Sequence, residues 1–511
     1  MFKSTGLIIC TIVAYLLLMV LIGYYYSKKN SNSTDFFLGG RKLGPFVTAM
    51  SAEASDMSSY LLMGLPGLAY ISGLGEVGWT AIGLALGTYL NWLLVAKPLR
   101  RYSEKIGAIT IPDFFSKRFH DDKNIISTIA AIVIIIFFVP YTASGFAACG
   151  KLFNSLFGVN YYAAMIVSAA IIIIYTTLGG FLAASFTDLI QSIFMTVAIC
   201  LILLFAINEA GGMAQVIANA KAIPGYLSLT ATSNDGVSKA YSFLDIVSTL
   251  AWGLGYFGMP HILLRFMAIE DENKLKVSRR VGSIWVLIAM SIAIMIGFAG
   301  SALSNIGLIE SLSGSASETV IIKIANFMSS KGAIFAIVAG IVVSGILAST
   351  MSTADSQLLA ASSSISQNIV QDLFKKKLSE KQSLRIARIT VISISIIALF
   401  IANNPNSSIF SIVSFAWAGF GACFGPVVLL SLYDKKATLQ GSIAGMLAGG
   451  IGVVVWEFVL TPLGGIFGIY ELLPAFLLAL IINLIVSKVT YKPNELIDKE
   501  FDSVNFKQKS H

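Results

Sequence analysis

Blocks of about twenty apolar residues recur along the whole chain, the length a helix needs to cross a bilayer. The first runs from Gly6 to Tyr26. It is too long for the apolar core of a signal peptide and has no small-residue cleavage pattern after it, so it reads as a retained span. Charged residues make up 12% of the 511 positions and hydrophobic ones 56%, whereas a soluble domain carries roughly 25% charge. A polytopic, all-α membrane protein follows, and water-soluble enzymes, disordered chains and nucleic-acid modules do not.

Breaks between the blocks give thirteen expected spans, centred near residues 16, 57, 86, 136, 169, 198, 252, 292, 348, 394, 420, 448 and 477. An odd number puts the termini on opposite sides. With the N-terminus outside, the inner segments hold 29 Lys and Arg and the outer ones six (Lys3, Lys151, Lys221, Lys239, Lys323 and Lys331). That asymmetry places the C-terminus in the cytoplasm of a plasma-membrane protein. It also accounts for the net charge of +8 without a nucleic-acid partner. Cys10, Cys149, Cys200 and Cys423 form no C-x-x-C pair, and His120, His261 and His511 lie far apart; neither a disulfide framework nor a zinc site is expected. No loop is long enough for a nucleotide domain, so no organic cofactor is expected. Gly145–Lys151 mimics a phosphate loop, but Leu152 stands where Ser or Thr should hold magnesium and no strand precedes it. Gly253–Gly258 spells G-x-G-x-x-G inside an apolar span, which is a chance match. Glycines four apart at Gly441, Gly445 and Gly449 fit close helix packing.

Function in a bilayer shows where the sequence accepts a cost. An acid at a helix centre costs about 2.5–3.5 kcal/mol on insertion scales. Glu53, Asp56, Asp188, Asp245, Asp355 and Glu457 are the acids in or beside spans; Asp245 and Glu457 read as wet helix ends, and no Lys or Arg is expected mid-membrane. Asp56 sits in the middle of span two, in SAEASDMSSYLLMGLPG (Ser51 to Gly67), a poor continuous helix. Span seven holds Gly253, Gly255, Gly258 and Pro260 within WGLGYFGMPHILLRFM, where a straight helix is again unfavourable. Two broken helices five spans apart are the pattern of two inverted five-helix repeats with a binding site between them. The whole of 1–511 is then one transporter domain. Spans 2–6 (about 44–208) and 7–11 (about 240–433) form its ten-helix core, and spans 1, 12 and 13 are peripheral. Near the inner end of span nine, Ser349, Thr350, Ser352 and Thr353 concentrate hard oxygen atoms that suit an alkali cation.

These strings, with FFLGGRKLGPFVTAMSA (Phe36 to Ala52), YTASGFAACGKLF (Tyr141 to Phe153), GGFLAASFTDLIQ (Gly179 to Gln191) and SFAWAGFGACFGPVVL (Ser414 to Leu429), resemble the sodium/solute symporter family, in particular its proline branch, over roughly residues 10–485. The resemblance implies an N-out carrier that takes sodium and a small solute inward together. It implies a sodium site made by the carbonyls of Ala54, Met57 and Ser349 and the side chains of Ser352 and Thr353. Asp56 matches the family's essential acid, Ser58 its neighbouring hydroxyl, and Asp188 an acid that supports sodium binding from across the site; a second ion between Asp188 and span nine, near Ser349, is also implied. The solute pocket falls on Tyr60, Tyr141, Trp252, Tyr256 and Pro260, with half-helix ends as donors for a carboxylate. Departures touch the pocket rather than the ion ligands. The branch usually reads SDMSGW, whereas this chain has Ser59 and Tyr60 at the last two positions; Met259 replaces Gln and Glu53 replaces Gly.

The expected function is sodium-coupled uptake of a small amino acid, L-proline above others, in a lipid bilayer. Another amino acid or small organic solute on the same scaffold is the nearest alternative, and a transporter-like sensor the alternative of a different class. An enzyme is not expected, for no nucleophile, acid and His set is present. Oligomeric state is not legible.

Overall fold

The computed structural model describes residues 2–27, 33–234, 236–375 and 378–505. Of the basic residues counted above, Lys28, Lys29, Lys376, Lys377, Lys507 and Lys509 lie outside these. Ten long apolar helices among the described residues could cross a membrane, and Tyr161–Thr177 adds a shorter one. Spans two and seven complete the thirteen. Both are interrupted, so neither forms one long helix. The chain is a multi-pass membrane protein.

Span two runs as Pro45–Ser59, a widened turn at Tyr60–Gly64, and Leu65–Ser72. Ser58 breaks it, with φ 47° and ψ −167°, a left-handed value that a Cβ-bearing residue adopts only under constraint. Span seven starts as Phe243–Leu250, tightens over Ala251–Gly258, and restarts at Pro260–Ala268. Met259 between them is extended, at φ −77° and ψ 106°, the conformation imposed on a residue before proline. Pro260 itself lacks the N–H that a first helical turn leaves unused. Spans five and six, within Tyr161–Glu209, are two helices that meet at Gly180, where φ 66° and ψ −177° break the helical path.

Span nine, Ala333–Ser363, is the most enclosed long helix after span eleven, Ile409–Tyr433. It packs on spans one, two, four and six. Span twelve, Leu439–Val455, lies against span thirteen, Leu472–Thr490. A Cβ at Gly441 or Gly445 would run into Ser487 or Asn483 of span thirteen, as the spacing of those glycines suggests. One feature departs from the all-helical expectation: β1 (Ala231–Asn234) and β2 (Val237–Ala240) pair as an antiparallel hairpin between spans six and seven. The hairpin segment meets the start of span three, where the Leu74 amide donates to Tyr226 O, while the segments after spans one, three and seven meet one another through Leu43 N to Ala268 O and Arg100 to Ile269 O.

Candidate ion and solute site

A helix interrupted in mid-membrane leaves carbonyls of its first half and amides of its second without partners, and these must be satisfied inside the protein. In span two the orphaned carbonyls are met one by one. Ala54 O accepts from the Ser352 hydroxyl of span nine at 2.8 Å. Asp56 O accepts from the Tyr141 hydroxyl of span four at 3.2 Å, and Met57 O from the amide of Tyr60. Ser58 Oγ in turn accepts from the Tyr60 amide at 3.1 Å.

Ser352 also reaches Ser349 O at 3.3 Å, and the Thr353 hydroxyl donates to the same carbonyl at 3.1 Å. Four of the five oxygens expected to hold sodium are thus in one hydrogen-bonded cluster that joins spans two and nine. Met57 O lies in the same unwound segment. The Ser349 hydroxyl bonds back to Ile346 O at 2.8 Å. A polar void of about 10 Å³ lies alongside, lined by Ser58, Tyr141, Thr353 and Gln357 among others, close to the smallest space that holds one water.

Asp56 is 5% exposed. Its Oδ2 accepts from the Tyr256 hydroxyl of span seven at 2.5 Å, so the two broken helices are tied through this carboxylate. No cationic side chain pairs with it among the described residues. Asp56, Met57, Tyr60, Tyr141 and Trp252 line a second cavity of about 10 Å³. Above it, Trp252 stacks on Tyr60 with centroids 5.6 Å apart and on Tyr470 at 5.0 Å, while Phe410 leans on Tyr60 and Trp252. The deep cavity takes about one water and is closed by aromatic rings.

Of the five residues expected to contact solute, Tyr60, Tyr141 and Trp252 line this cavity. Tyr256 meets it through Asp56 and an edge-on contact with Trp417 at 5.0 Å. Pro260 does not line it and instead starts the second half-helix. Trp417 of span eleven is a lining residue that the sequence reading missed. Its indole donates to Trp252 O at 2.8 Å, and it lies where any Cβ at Gly255 would clash. The signal was present in SFAWAGFGACFG, an aromatic set among small residues. Phe410 and Tyr470 carried no such signal.

Asp188 lies elsewhere than beside Asp56. Its Oδ2 accepts from Ser51 at 2.6 Å and from Arg265 at 3.1 Å. Arg265, expected in a basic loop, is 1% exposed inside the bundle. Its guanidinium also donates to Ser51 at 3.0 Å, His261 O at 2.8 Å and Ser356 at 2.5 Å, joining spans two, six, seven and nine. Lys151, likewise placed in a loop, is buried against Glu318 at 2.8 Å. The expectation of no intramembrane base therefore fails for Arg265, because planar five-donor geometry lets a guanidinium be fully satisfied by fixed oxygens. Asp245 caps span seven through Ser242, a helix-end role as expected. Glu53 accepts from Trp92 at 2.9 Å and Thr88 at 3.3 Å, a local bond set off the ion cluster.

Comparison with known proteins sets this geometry in a group. The pattern defining the Sodium:solute symporter family matches residues 36–449. The chain is 40% identical to the osmoregulated proline transporter OpuE of Bacillus subtilis over 460 residues, 90% of each chain. It is 40% identical to sodium/proline symporter 2 of Staphylococcus saprophyticus over 506 residues, 97% of this chain and 95% of that one. Among solved structures, a substrate-bound, outward-open Na+-coupled sialic acid symporter overlays with a TM-score of 0.77 at 19% identity, covering 95% and 98% of the two chains. The nucleobase-cation-symport-1 family transporter Mhp1 overlays at 0.55 with 14% identity, over 92% and 99%. Those two likenesses speak to the fold, a transporter core with paired broken helices. With its pattern matched over most of its length and relatives at this identity along nearly all of it, the chain belongs to the sodium:solute symporter family, a family of transporters and not of enzymes.

Proposed function

We propose that this protein carries sodium and L-proline inward together by alternating access. The observation that carries the reading is the bond from the Ser352 hydroxyl to the Ala54 carbonyl across the break in span two. Oxygens that bond each other through a hydroxyl proton can turn their lone pairs to an alkali ion instead. The ligands are the carbonyls of Ala54, Met57 and Ser349 and the hydroxyls of Ser352 and Thr353; Asp56 supplies the negative charge, with Ser58 beside it. The names of the relatives support proline as the solute. A pyrrolidine ring suits the faces of Tyr60, Tyr141 and Trp252, with Tyr256 and Pro260 setting the break behind them. The Tyr60 hydroxyl is buried without a hydrogen-bond partner and is a free donor for the carboxylate. The N-terminus faces outside and the C-terminus the cytoplasm of the plasma membrane. Repeats of about 44–208 and 240–433 rock as the core, flanked by spans 1, 12 and 13.

In this cycle sodium enters first and draws span two onto span nine. That fixes Asp56 against Tyr256 and orders the solute pocket. One sodium crossing ~100 mV supplies about 2.3 kcal/mol, and a ~10-fold gradient about 1.4 kcal/mol; one-to-one coupling then supports roughly 500-fold accumulation of a zwitterion. Labelled proline uptake into proteoliposomes with and without an inward sodium gradient tests the reading, competed by a panel of amino acids. Accumulation of proline only with the gradient is expected. Accumulation of another solute in its place would move the specificity to Tyr60 and Met259, and no sodium-driven uptake of any solute would end the proposal.

Ser352→Ala leaves Ala54 O without its donor and removes one ion ligand. A hydrogen bond or ligand of this kind is worth about 1.5–3 kcal/mol when charge is involved. Half-maximal uptake should therefore need about 10-fold more sodium or beyond, with proline KM at saturating sodium changed much less. Unchanged sodium activation would remove Ser352 from the site.

A further inference from the structure

The outside of the bundle carries a groove at membrane depth. Span four, Ile125–Phe157, and span twelve leave between them a space of about 370 Å³ lined by apolar residues only. It begins at Ile129, about one turn into span four, and runs to Phe137; on span twelve it runs from Met446 to Val455. At about 1.5 Å per residue its length is about 12 to 14 Å, close to the ~15 Å that one leaflet gives to a ~30 Å hydrocarbon core. Ile132, Ile136, Leu447 and Ile451 are exposed along it. What surrounds the protein at this depth is lipid, and an apolar space of this kind excludes water and takes apolar matter.

The two spans start side by side. Arg118, before span four, donates to Ser431 O at 2.9 Å and to Asp434 O at 3.4 Å, just before span twelve. Lys123 and Lys436 stand at these starts, exposed, and among the described residues neither ammonium has a hydrogen-bond or ion-pair partner. The neighbouring charges are largely engaged. Asp121 accepts from the Ile126 amide at 2.8 Å, Asp434 from the Lys436 amide at 2.8 Å, and Lys435 is held by Asp502 at 2.6 Å. Asp122 is exposed without such a partner among the described residues, so the free charge beside the groove is two positive against one negative. That edge complements an anion at the membrane surface. At the far end Phe137 closes the groove; its ring meets Phe415 at 5.7 Å and Phe420 at 5.8 Å, where a Cβ at Gly419 would clash. Gly419 lies two residues beyond Trp417 of the solute cavity.

We propose that this groove holds one acyl chain of an anionic phospholipid, with the lipid's phosphate held by Lys123 and Lys436. The chain fills the apolar space and backs span eleven through Phe137. In the N-out orientation proposed above, the lipid belongs to the cytoplasmic leaflet. A neutral phospholipid would gain the groove without the lysines. A second copy of this chain would cover the groove and need neither lysine, which separates the three occupants.

Native mass spectrometry of the purified full chain, titrated in detergent with phosphatidylglycerol or phosphatidylcholine, tests it, with the thermal midpoint as a second readout. The native chain should bind one phosphatidylglycerol roughly 10-fold or more ahead of phosphatidylcholine, as two lysine contacts imply, and its midpoint should rise with that lipid. Lys123→Gln and Lys436→Gln should each weaken binding about 5-fold, which is ~1 kcal/mol per basic residue at a lipid surface taken at about 1.4 kcal/mol per tenfold. Leu447→Trp, a change at an exposed position that fills the groove, should weaken both lipids and cancel the rise in midpoint. Equal affinity for the two lipids, untouched by the lysine variants, would overturn the headgroup assignment and the proposal with it. Phosphatidylglycerol binding unchanged in Leu447→Trp would place the lipid outside the groove and overturn it as well. A dimer that Leu447→Trp splits would give the groove to a second copy, with the same result. No step reads uptake, so absence of sodium-driven transport would strike the functional reading and leave this site standing.

Discussion

Asp56→Ala is expected to abolish sodium-driven uptake, or to raise the sodium needed for half-maximal rate about 100-fold, while the protein stays folded in the membrane. The buried acids of this bundle differ in how they are neutralised. Asp188 has Arg265, and Glu318 has Lys151. Asp56, equally enclosed, has the Tyr256 hydroxyl and no cationic side chain among the described residues. An ion taken out of water needs compensation by a nearby opposite charge, and the oxygens of Ala54 and Ser352 offer the place for a sodium to supply it. Removing the carboxylate takes away that attraction and leaves the Tyr256 hydroxyl unpaired, at about 1–3 kcal/mol. Asp56→Asn separates the two effects, since an amide oxygen can still accept from Tyr256. Asn should be nearly as defective as Ala in initial rate against sodium concentration. Recovery of native sodium activation in Asn would mean that the hydrogen bond, and not the charge, is what matters, and the ion account would fall.

How much of this was open to reading from the chain follows from what each feature costs. Span count was legible because apolar length is written locally, block by block, and hydrogen bonding within each helix makes no demand on distant residues. The two breaks were legible for the same reason: Pro260 and the glycines of span seven, and the small residues around Asp56, disfavour a straight helix where they stand. Ser352 was reachable through the density of hydroxyls in span nine, although its bond to Ala54 O needed the fold. Arg265 was misplaced because hydropathy charges every guanidinium the same price, whereas the actual cost depends on Ser51, Asp188 and Ser356, which come from three other spans. Phe410 and Tyr470 were lost among the many aromatics of a membrane chain, while the string around Trp417 marks that residue without placing it in the pocket. What distinguishes them is stacking around Trp252, a property of tertiary packing. The hairpin of residues 231–240 escaped because its strands are only four residues long and largely polar, a loop composition that pairing alone turns into structure.

Arg265→Met should be among the most damaging single changes in the chain, and a second substitution should repair part of it. The guanidinium holds four groups from four spans at 2.5–3.1 Å. Breaking one side of a buried ion pair costs about 3–5 kcal/mol, because the partner charge remains and is uncompensated. Removing both charges costs far less when apolar volume is kept. Thermal unfolding in detergent should thus show a large drop in midpoint for Arg265→Met and for Asp188→Asn, and the double variant should recover most of the loss. Transport separates a structural role from a coupling one. If Asp188 does no more than pair with Arg265, the double variant should regain native sodium activation along with its stability. If its charge also supports the ion held by spans two and nine, the double variant should be stable yet need about 10-fold more sodium, roughly 1.4 kcal/mol. We expect the second result, since Ser51, three residues before Ala54 on the first half of the broken span, donates its hydroxyl to Asp188, so the acid holds the half-helix that carries the Ala54 carbonyl. A double variant that is stable and sodium-sensitive as the native chain would assign Asp188 to architecture alone.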